Sequence, residues 1–402
     1  MKRWLFALSA SATLIAALPV LSWADDDDDD NSSLTSTING ITREYTFDLN
    51  VLENYEIRPA VLATSGGDAL APAIVQLWAF GCDAASGGAF IPFCTPFAEP
   101  TLPGPVIRVN QGDLVRLTFQ NTHEKPHTLH LHGFHRNNVD GVHPVPPHEN
   151  FLIEYVANPC GTYVYHCHVN TPLHQDRGMY GQFIVNCPDD TERTVDHEFL
   201  IVVDEQPRDW PALGDDPLPE THEFIINGKA FVPTTPVDTT NNLRTILRDG
   251  TVVPGPMVVY ENDTVRIRLS SFGMAVHEME LFGPIGPDLS ASRVDLSSYD
   301  WRLPFDPDFP TPFPFPTVVQ GSNPIPADGD PTAPLEVVTN HSLNVTFTAG
   351  AAGTYMFRST NPIERRNYEI GPDGTLHMGA PDQGGMQTVL VVMPRRPGRH
   401  GS

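Results

Sequence analysis

Positive charge is scarce in this 402-residue sequence. Lysine and arginine together number 24 against 49 aspartates and glutamates, so the formal net charge is -25 at pH 7. A strongly acidic surface disfavours binding to nucleic acids and to anionic membranes, because both carry negative charge themselves. An aspartate run at residues 25–30, followed by small polar residues, predicts an acidic disordered leader over residues 25–37.

Long apolar runs are also rare. One extends from Trp4 to about Val20, and residues 22–24 follow the small-x-small pattern of a signal-peptidase site. The run is shorter than the roughly 20 residues that a membrane-spanning helix needs, and no later segment resembles it. We therefore predict a signal peptide at residues 1–24, export to the periplasm or the cell exterior, and no membrane insertion.

Cysteine is scarce as well, with five residues in the chain. An odd number in an exported protein calls for disulfides plus one thiol with another role. Cys160 immediately precedes a predicted strand and Cys187 ends the next one, while Cys82 and Cys94 flank a glycine-rich loop. The predicted disulfides are Cys160–Cys187 and Cys82–Cys94, which leaves Cys167 as the free sulfur.

That sulfur lies among other soft or borderline metal ligands. Residues 162–165 are β-branched or aromatic and predict a strand, after which come Cys167, His174 and Met179. A blue-copper centre uses two imidazoles, one cysteine sulfur and a weak axial methionine. The second imidazole must come from elsewhere, and the histidine-rich segment 127–133 lies upstream.

The chain contains an internal repeat. Residues 103–117 recur as 254–268, and residues 161–163 recur as 353–355 after a longer interval, which indicates an insertion in the second copy within the proline-rich stretch 284–334. Apolar and polar residues alternate over short runs in both copies, a pattern typical of antiparallel β-sandwiches. The sequence thus predicts two all-β domains, at residues 38–190 and 195–395.

The histidine motifs of the first copy carry a family resemblance. His127-x-x-His130-x-His132-Gly, Asp140-Gly-Val, His166-Cys167-His168 and His174-x-x-x-Gly-Met179 together resemble the cupredoxin domain of the multicopper oxidases. Two-domain and ceruloplasmin-like members are the most similar, and the copper nitrite reductases share the plan. The resemblance implies two tandem cupredoxin-type Greek-key β-sandwiches with copper as cofactor, and a homotrimer as one state of assembly.

The resemblance also implies two metal sites. A type 1 copper would be held by His127, Cys167, His174 and Met179, and a second site, of type 2 or type 3, by His130, His132, His166 and His168. Strand geometry agrees, because residues two apart point to the same face, so that the cysteine faces away from its histidine neighbours. The spacing from Cys167 to His174 is two residues longer than is common in the oxidases, which predicts a bulge at residues 169–173.

The second copy departs from the family pattern. Where a complete copper cluster needs further histidines, it has Glu280, Phe282 and the run 358–360, Arg-Ser-Thr. Only His277 is kept, at the position equivalent to His127, either as a leftover polar residue or as a catalytic residue. Surface or indirect roles are predicted for His123, His135, His143 and His148. No partner pattern is found for the remaining histidines, His197, His222, His341, His377 and His400.

Four functions agree with these motifs. The first is a copper oxidoreductase that takes electrons from a small-molecule or protein donor at type 1 copper and passes them to the second site, with oxygen as acceptor. The second is a non-enzymatic blue-copper electron carrier with an incomplete cluster. Third comes a nitrite-reductase-like enzyme, although His130 and Thr360 replace two residues of that pattern. The fourth is copper storage.

Overall fold

The computed structural model describes fourteen segments of the chain, and all structural statements below refer to them: residues 42–58, 69–70, 73–82, 102–132, 141–157, 160–186, 195–207, 222–232, 244–246, 252–254, 257–285, 292–294, 297–299 and 334–395. The predicted signal peptide, the acidic leader, Cys94, Cys187 and most of the proline-rich stretch lie outside them. Within these segments no helix has the length and apolar character needed to cross a membrane.

Nearly all regular structure in the first half is β-strand. In chain order it contains β1 (Thr42–Arg58), β2 (Ala69–Leu70), β3 (Ala73–Cys82), β4 (Ile107–Asn110), β5 (Leu114–Gln120), β6 (His130–His132), β7 (Asn150–Val156), β8 (Gly161–His166), the short helix α1 (Thr171–Asp176) and β9 (Tyr180–Asn186).

All regular structure in the described segments of the second half is β-strand. The strands are β10 (His197–Pro207), β11 (His222–Ile226), β12 (Arg244–Ile246), β13 (Val252–Pro254), β14 (Met257–Tyr260), β15 (Thr264–Ser271), β16 (His277–Ile285), β17 (Ser292–Arg293), β18 (Ser297–Tyr299), β19 (Leu335–Val337), β20 (His341–Thr348), β21 (Gly353–Ser359), β22 (Tyr368–Ile370), β23 (Leu376–Met378) and β24 (Gln387–Met393).

Two sheets face each other in the first half. One has the order β3-β1-β5-β7 and the other the order β4-β9-β8-β6. Buried and half-buried residues alternate along β5, with Val115, Leu117 and Phe119 directed inward. The period of two that predicted the strand thus supplies the apolar face of the sandwich.

The second half repeats this topology. Its sheets contain the runs β10-β15-β20 and β14-β24-β21-β16, which correspond to β1-β5-β7 and β4-β9-β8-β6. Parallel and antiparallel pairs match too, since β4 runs parallel to β9 and β14 parallel to β24. The turn between β4 and β5 recurs between β14 and β15, because Asp113 accepts a hydrogen bond from the Asn110 amide and Asp263 accepts one from the Tyr260 amide, each at 2.9 Å. The repeat read in the sequence is a repeat of fold, and the predicted all-β class of two cupredoxin-type sandwiches is confirmed.

Each sandwich has its own apolar core, and buried apolar and polar side chains together join the two. Tyr180 of β9 stacks on Phe272 with ring centres 4.2 Å apart, and its hydroxyl donates to Asp204 of β10 at 2.5 Å. Arg268 of β15 donates to Thr162 of β8 at 2.6 Å. These buried contacts fix β8 and β9 of the first half, which precede and follow the metal-ligand motif, against the second half.

Candidate metal centre

Three side chains of the predicted type 1 site form a buried cluster. The sulfur of Cys167 lies 3.4 Å from Nδ1 of His174 and 3.7 Å from Nδ1 of His127, and the two nitrogens are 3.2 Å apart. Donors that share one ion at bonds of about 2.0–2.3 Å lie roughly 3.2–3.8 Å from one another. The three atoms therefore fit a single metal ion, and the sulfur belongs to a free cysteine.

Backbone structure brings the three donors together. His127 pairs with Val145 in an isolated β-bridge before β6, and Cys167 directly follows β8. His174 lies on α1, whose preceding residue, Asn170, adopts the left-handed conformation with φ 44°. The prediction of a bulge at residues 169–173 is therefore wrong in form, because the extra residues form a helical turn.

Met179 is held beside these ligands by main-chain hydrogen bonds. Its carbonyl accepts from the Cys167 amide at 3.0 Å, and its own amide donates to the His174 carbonyl at 3.3 Å. Its side chain is fully buried. The axial role of its sulfur stays a prediction.

An aromatic ring and a further histidine surround the cluster. Trp78 of β3 has its ring centre 5.4 Å from that of His127 and 5.1 Å from that of His174. Nδ1 of His123 lies 2.8 Å from Nε2 of His127, on the side of the ring that faces away from the sulfur. His123 thus occupies the position of an orienting partner, as metal-binding imidazoles commonly have.

The protonation states suit cation binding. Burial, together with the nearby His174 and His123, lowers the pKa of His127 to about 2, so its ring is neutral and keeps a lone pair. Burial raises the pKa of the Cys167 thiol, although hydrogen bonds with Thr128 and Val169 oppose the shift. A bound cation is the partner that a thiolate in this position requires, since ligation deprotonates the thiol.

The four histidines of the predicted second site also converge. His130 on β6 pairs directly with His166 on β8, and the ligand nitrogens of His130, His132 and His166 all lie within 4.8 Å of one another. The His168 ring centre is 4.9 Å from that of His130, and its side chain is exposed. The site therefore extends from a buried floor at His166 to the protein surface.

Hydrogen bonding sets the tautomer of His166. Its Nδ1 donates to the Cys167 carbonyl at 2.9 Å, so Nε2 carries the lone pair and faces Nδ1 of His132 at 3.3 Å. Burial and the neighbouring His130 and His168 lower the pKa of His166 to about 3, against the opposing effect of the hydrogen bond to Cys167. A neutral ring with this tautomer is a competent metal ligand.

Thr128 lies between the two clusters. Its hydroxyl accepts a hydrogen bond from the His168 amide at 2.5 Å and donates toward the Cys167 sulfur at 3.8 Å. Cys167 itself joins His166 to His168 along the chain. One short segment thus holds donors of both clusters on opposite sides.

The second sandwich replaces the first cluster with a hydrogen-bonded network. His277 is fully buried, with Nε2 2.6 Å from Glu205 and Nδ1 3.1 Å from Glu364. Ser359, at the position equivalent to Cys167, donates to Glu364 at 2.6 Å. Both nitrogens of His277 face carboxylates, which favours a structural role over a catalytic one. Its pairing with Glu205 and Glu364 was not foreseen, because the residues are far apart in the sequence.

In the second sandwich, non-histidine side chains occupy the positions equivalent to the second cluster. Arg358 bonds to Glu280 at 3.0 Å, and its guanidinium lies 4.3 Å from the ring centre of Phe282. An ion pair and a cation–π contact thus occupy positions where the first sandwich has histidines. Neither group of possible metal ligands in the described segments includes a residue of the second sandwich.

The remaining predicted residues have varied positions. Cys160 is disulfide-bonded, whereas the pairings Cys160–Cys187 and Cys82–Cys94 stay predictions, because Cys187 and Cys94 lie outside the described segments. His143 and His148 are exposed. His341, for which the sequence offered no partner, has its ring centre 6.3 Å from that of His132.

Known proteins resemble the first sandwich most strongly. A family model described as multicopper oxidase matches residues 97–190. Dihydrogeodin oxidase of Aspergillus terreus is 31% identical over 142 residues, which cover 32% of this chain and 23% of that protein. Multicopper oxidase MmcO of Mycobacterium tuberculosis is 33% identical over 115 residues, which cover 27% of this chain and 21% of that protein. The matches thus span less than a quarter of each relative.

A solved structure resembles the chain over most of its length. The blue copper oxidase from Nitrosomonas europaea superposes with a TM-score of 0.55 and 22% identity, covering 87% of this chain and 86% of that one. This likeness extends the shared fold to both sandwiches. The first sandwich thus matches the multicopper oxidase family over residues 97–190, and the likeness in fold to a solved copper oxidase extends over both sandwiches.

Proposed function

We propose that this chain is an exported copper oxidoreductase that accepts electrons from a small-molecule or protein donor at the Cys167 cluster and passes them to the four-histidine cluster. Oxygen is the proposed acceptor. Relatives named as oxidases support the reaction class. Export rests on the signal-peptide pattern at residues 1–24.

One observation carries the proposal. Cys167, the free sulfur of the first cluster, is bonded through its peptide groups to His166 and His168 of the second cluster. A protein that only carried electrons would need the first cluster alone. Two donor sets joined by a single residue instead indicate transfer between two centres.

The donor sets fit copper. Copper, when bound, supplies one-electron redox chemistry, and thiolate with imidazole donors is the combination that favours it over hard cations. His127, Cys167, His174 and the predicted axial Met179 would hold one ion; His130, His132, His166 and His168 would hold copper at the second site.

The protein environment differs between the two clusters in a way that suits this division. Cys167, His127 and His174 are buried, which excludes water from the first cluster and fixes its geometry. The second cluster is open to a small acceptor molecule, because His132 is half-buried and His168 is exposed. This contrast supports electron entry at the buried first cluster and binding of the acceptor at the accessible second cluster.

A second candidate is a non-enzymatic blue-copper electron carrier. The bond between Arg358 and Glu280 favours it, since these residues fill positions where a complete cluster has histidines. In this case the second sandwich would serve as scaffold, and the four histidines of the first would not support turnover.

Copper content, electron paramagnetic resonance and oxygen consumption distinguish the candidates. We expect the copper-loaded chain to bind more than one copper, to show an intense thiolate-to-copper band and to consume oxygen with a phenolic, ferrous or cuprous donor. Cys167→Ser should abolish the band and the oxygen consumption while the sandwich stays folded. One copper per chain without oxygen consumption would support the carrier, and wild-type turnover in Cys167→Ser would contradict the proposed route.

A further inference from the structure

We propose that His341, from the second sandwich, is an additional ligand of the metal bound by His130, His132 and His166. This inference rests on the proposed function, in which that cluster holds copper. The ring of His341 is centred 6.3 Å from that of His132, at an angle of 63°. This separation places a ring of the second sandwich beside the cluster.

The separation fits ligation on opposite sides of one ion. Two imidazoles bonded to one ion at about 2.0–2.1 Å have ring centres roughly 4.5–6.5 Å apart, depending on the angle between the bonds. Among the cluster histidines the ring centres are 5.0 Å apart for His130–His166 and 5.5 Å for His132–His166. His341 lies at the outer end of the range, as expected for a ligand on the side opposite to His132.

Hydrogen bonding gives His341 the tautomer of a metal ligand. Its Nδ1 donates to the Thr339 carbonyl at 2.8 Å, so in the neutral ring Nε2 carries the lone pair. His166 is arranged in the same way, with Nδ1 donating to the Cys167 carbonyl at 2.9 Å. Metal-binding histidines almost always use their second nitrogen in such a bond, which also orients the ring.

The backbone that carries His341 is well defined. The His341 amide donates to the Val338 carbonyl at 3.0 Å, closing a tight turn at the start of β20. Asn340 occupies the left-handed position of this turn, with φ 60°, and its amide donates to the Ser271 carbonyl at 2.7 Å. These hydrogen bonds fix the backbone position of His341 beside the end of β15.

A buried contact ties this turn to the strand that ends in the cluster. Asn344, three residues after His341, accepts a hydrogen bond at 2.8 Å from Thr162 of β8. β8 ends at His166, so one interface positions both His341 and the floor of the metal site. The second sandwich thus supplies a ligand from a position unrelated to the repeat. β20 corresponds to β7 of the first sandwich, whereas the histidines of the second cluster lie on β6 and around the end of β8.

Copper(II) binding to the full chain tests the inference. Cys167→Ser removes the sulfur ligand of the first cluster, so that copper at the second cluster is measured by competition with a chelator and by pulsed electron paramagnetic resonance. In that background, His341→Ala and His341→Gln should each weaken copper(II) binding at least about tenfold. Each should also reduce the number of coordinated imidazoles by one. His377→Ala, at an exposed histidine on β23, is the matched control.

The outcomes separate this inference from the proposed function. If the background protein binds copper(II) and His130→Ala weakens that binding, but both His341 variants equal the control, His341 is not a ligand and the two-centre proposal stands. If His130→Ala also equals the control, the second copper site itself is absent and both proposals fail. Circular dichroism of each variant identifies losses that come from unfolding.

Discussion

Nδ1 of His123 lies 2.8 Å from Nε2 of His127, and the opposite nitrogen of His127 faces the Cys167 sulfur. A histidine that the sequence left among surface or indirect roles therefore fixes the tautomer and the direction of a predicted metal ligand. The pKa of His123 is lowered, mainly by burial and then by Lys125, so the ring is neutral. With Nδ1 of His127 available to a metal, its Nε2–H donates in this contact and the neutral His123 ring accepts at Nδ1.

Removing this contact should weaken the first metal site without removing a ligand. We expect His123→Ala to lower the affinity of the Cys167 cluster for copper about 10–100-fold, as is typical when the hydrogen-bond partner of a metal ligand is lost. A chelator titration followed at the thiolate-to-copper band measures the change. His148→Ala, at an exposed histidine, is the control, and equal affinities in the two variants would refute the orienting role.

The Thr128 hydroxyl should tune the electron affinity of the same site. A hydrogen bond to the sulfur draws charge from the thiolate and favours the reduced metal, and the hydroxyl lies 3.8 Å from that sulfur. Thr128→Val should therefore lower the reduction potential, by tens of millivolts, whereas Thr128→Ser should keep it near the wild-type value. Spectroelectrochemical titration measures both. An unchanged potential in the valine variant would show that the contact has no electronic effect.

The two clusters should respond independently to loss of a histidine. His130→Ala should spare the thiolate-to-copper band and reduce copper bound at the second cluster, because His130 lies beside His166 with ring centres 5.0 Å apart. His174→Ala should do the reverse, since His174 faces the Cys167 sulfur at 3.4 Å. Absorption and copper content distinguish the variants. Loss of the band in His130→Ala would mean that the histidines are divided wrongly between the sites.

Much of the fold was predictable because it follows from local patterns. Apolar residues at every second position, such as Val115, Leu117 and Phe119, are enough to predict a strand, and the sequence repeat predicts the shared topology. The convergence of His130, His132 and His166 follows from strand geometry, once the strands are known to pair.

What sequence could not supply depends on contacts between distant segments. His341 meets His132 only because β20 packs on β8 through Asn344 and Thr162. The bulge predicted at residues 169–173 is a helical turn instead. Either form takes up extra length, and the turn is closed by main-chain hydrogen bonds such as that from the His174 amide to the Asn170 carbonyl at 3.1 Å.

The buried pair of carboxylates around His277 predicts a pH-dependent stability. Burial opposes a charged ring, but hydrogen bonds and charge from Glu205 and Glu364 outweigh it and raise the pKa of His277 to about 9. A folded-state pKa above the unfolded value of about 6.5 stabilises the protein fully below that value, and the stabilisation is lost as pH rises through about 9. The ion-paired network should therefore weaken on the alkaline side.

His277→Ala should consequently lower the free energy of unfolding most at acidic to neutral pH. Its loss leaves Glu205 and Glu364 buried without their shared cation, which typically destabilises a protein by about 3–5 kcal/mol. The difference in unfolding free energy from wild type, measured with urea, should shrink between pH 6 and pH 10, because deprotonation removes the same charge from the wild type. His377→Ala provides the control, with a small and constant difference. A constant large difference for His277→Ala would show that the residue contributes packing, and not charge, to the second sandwich.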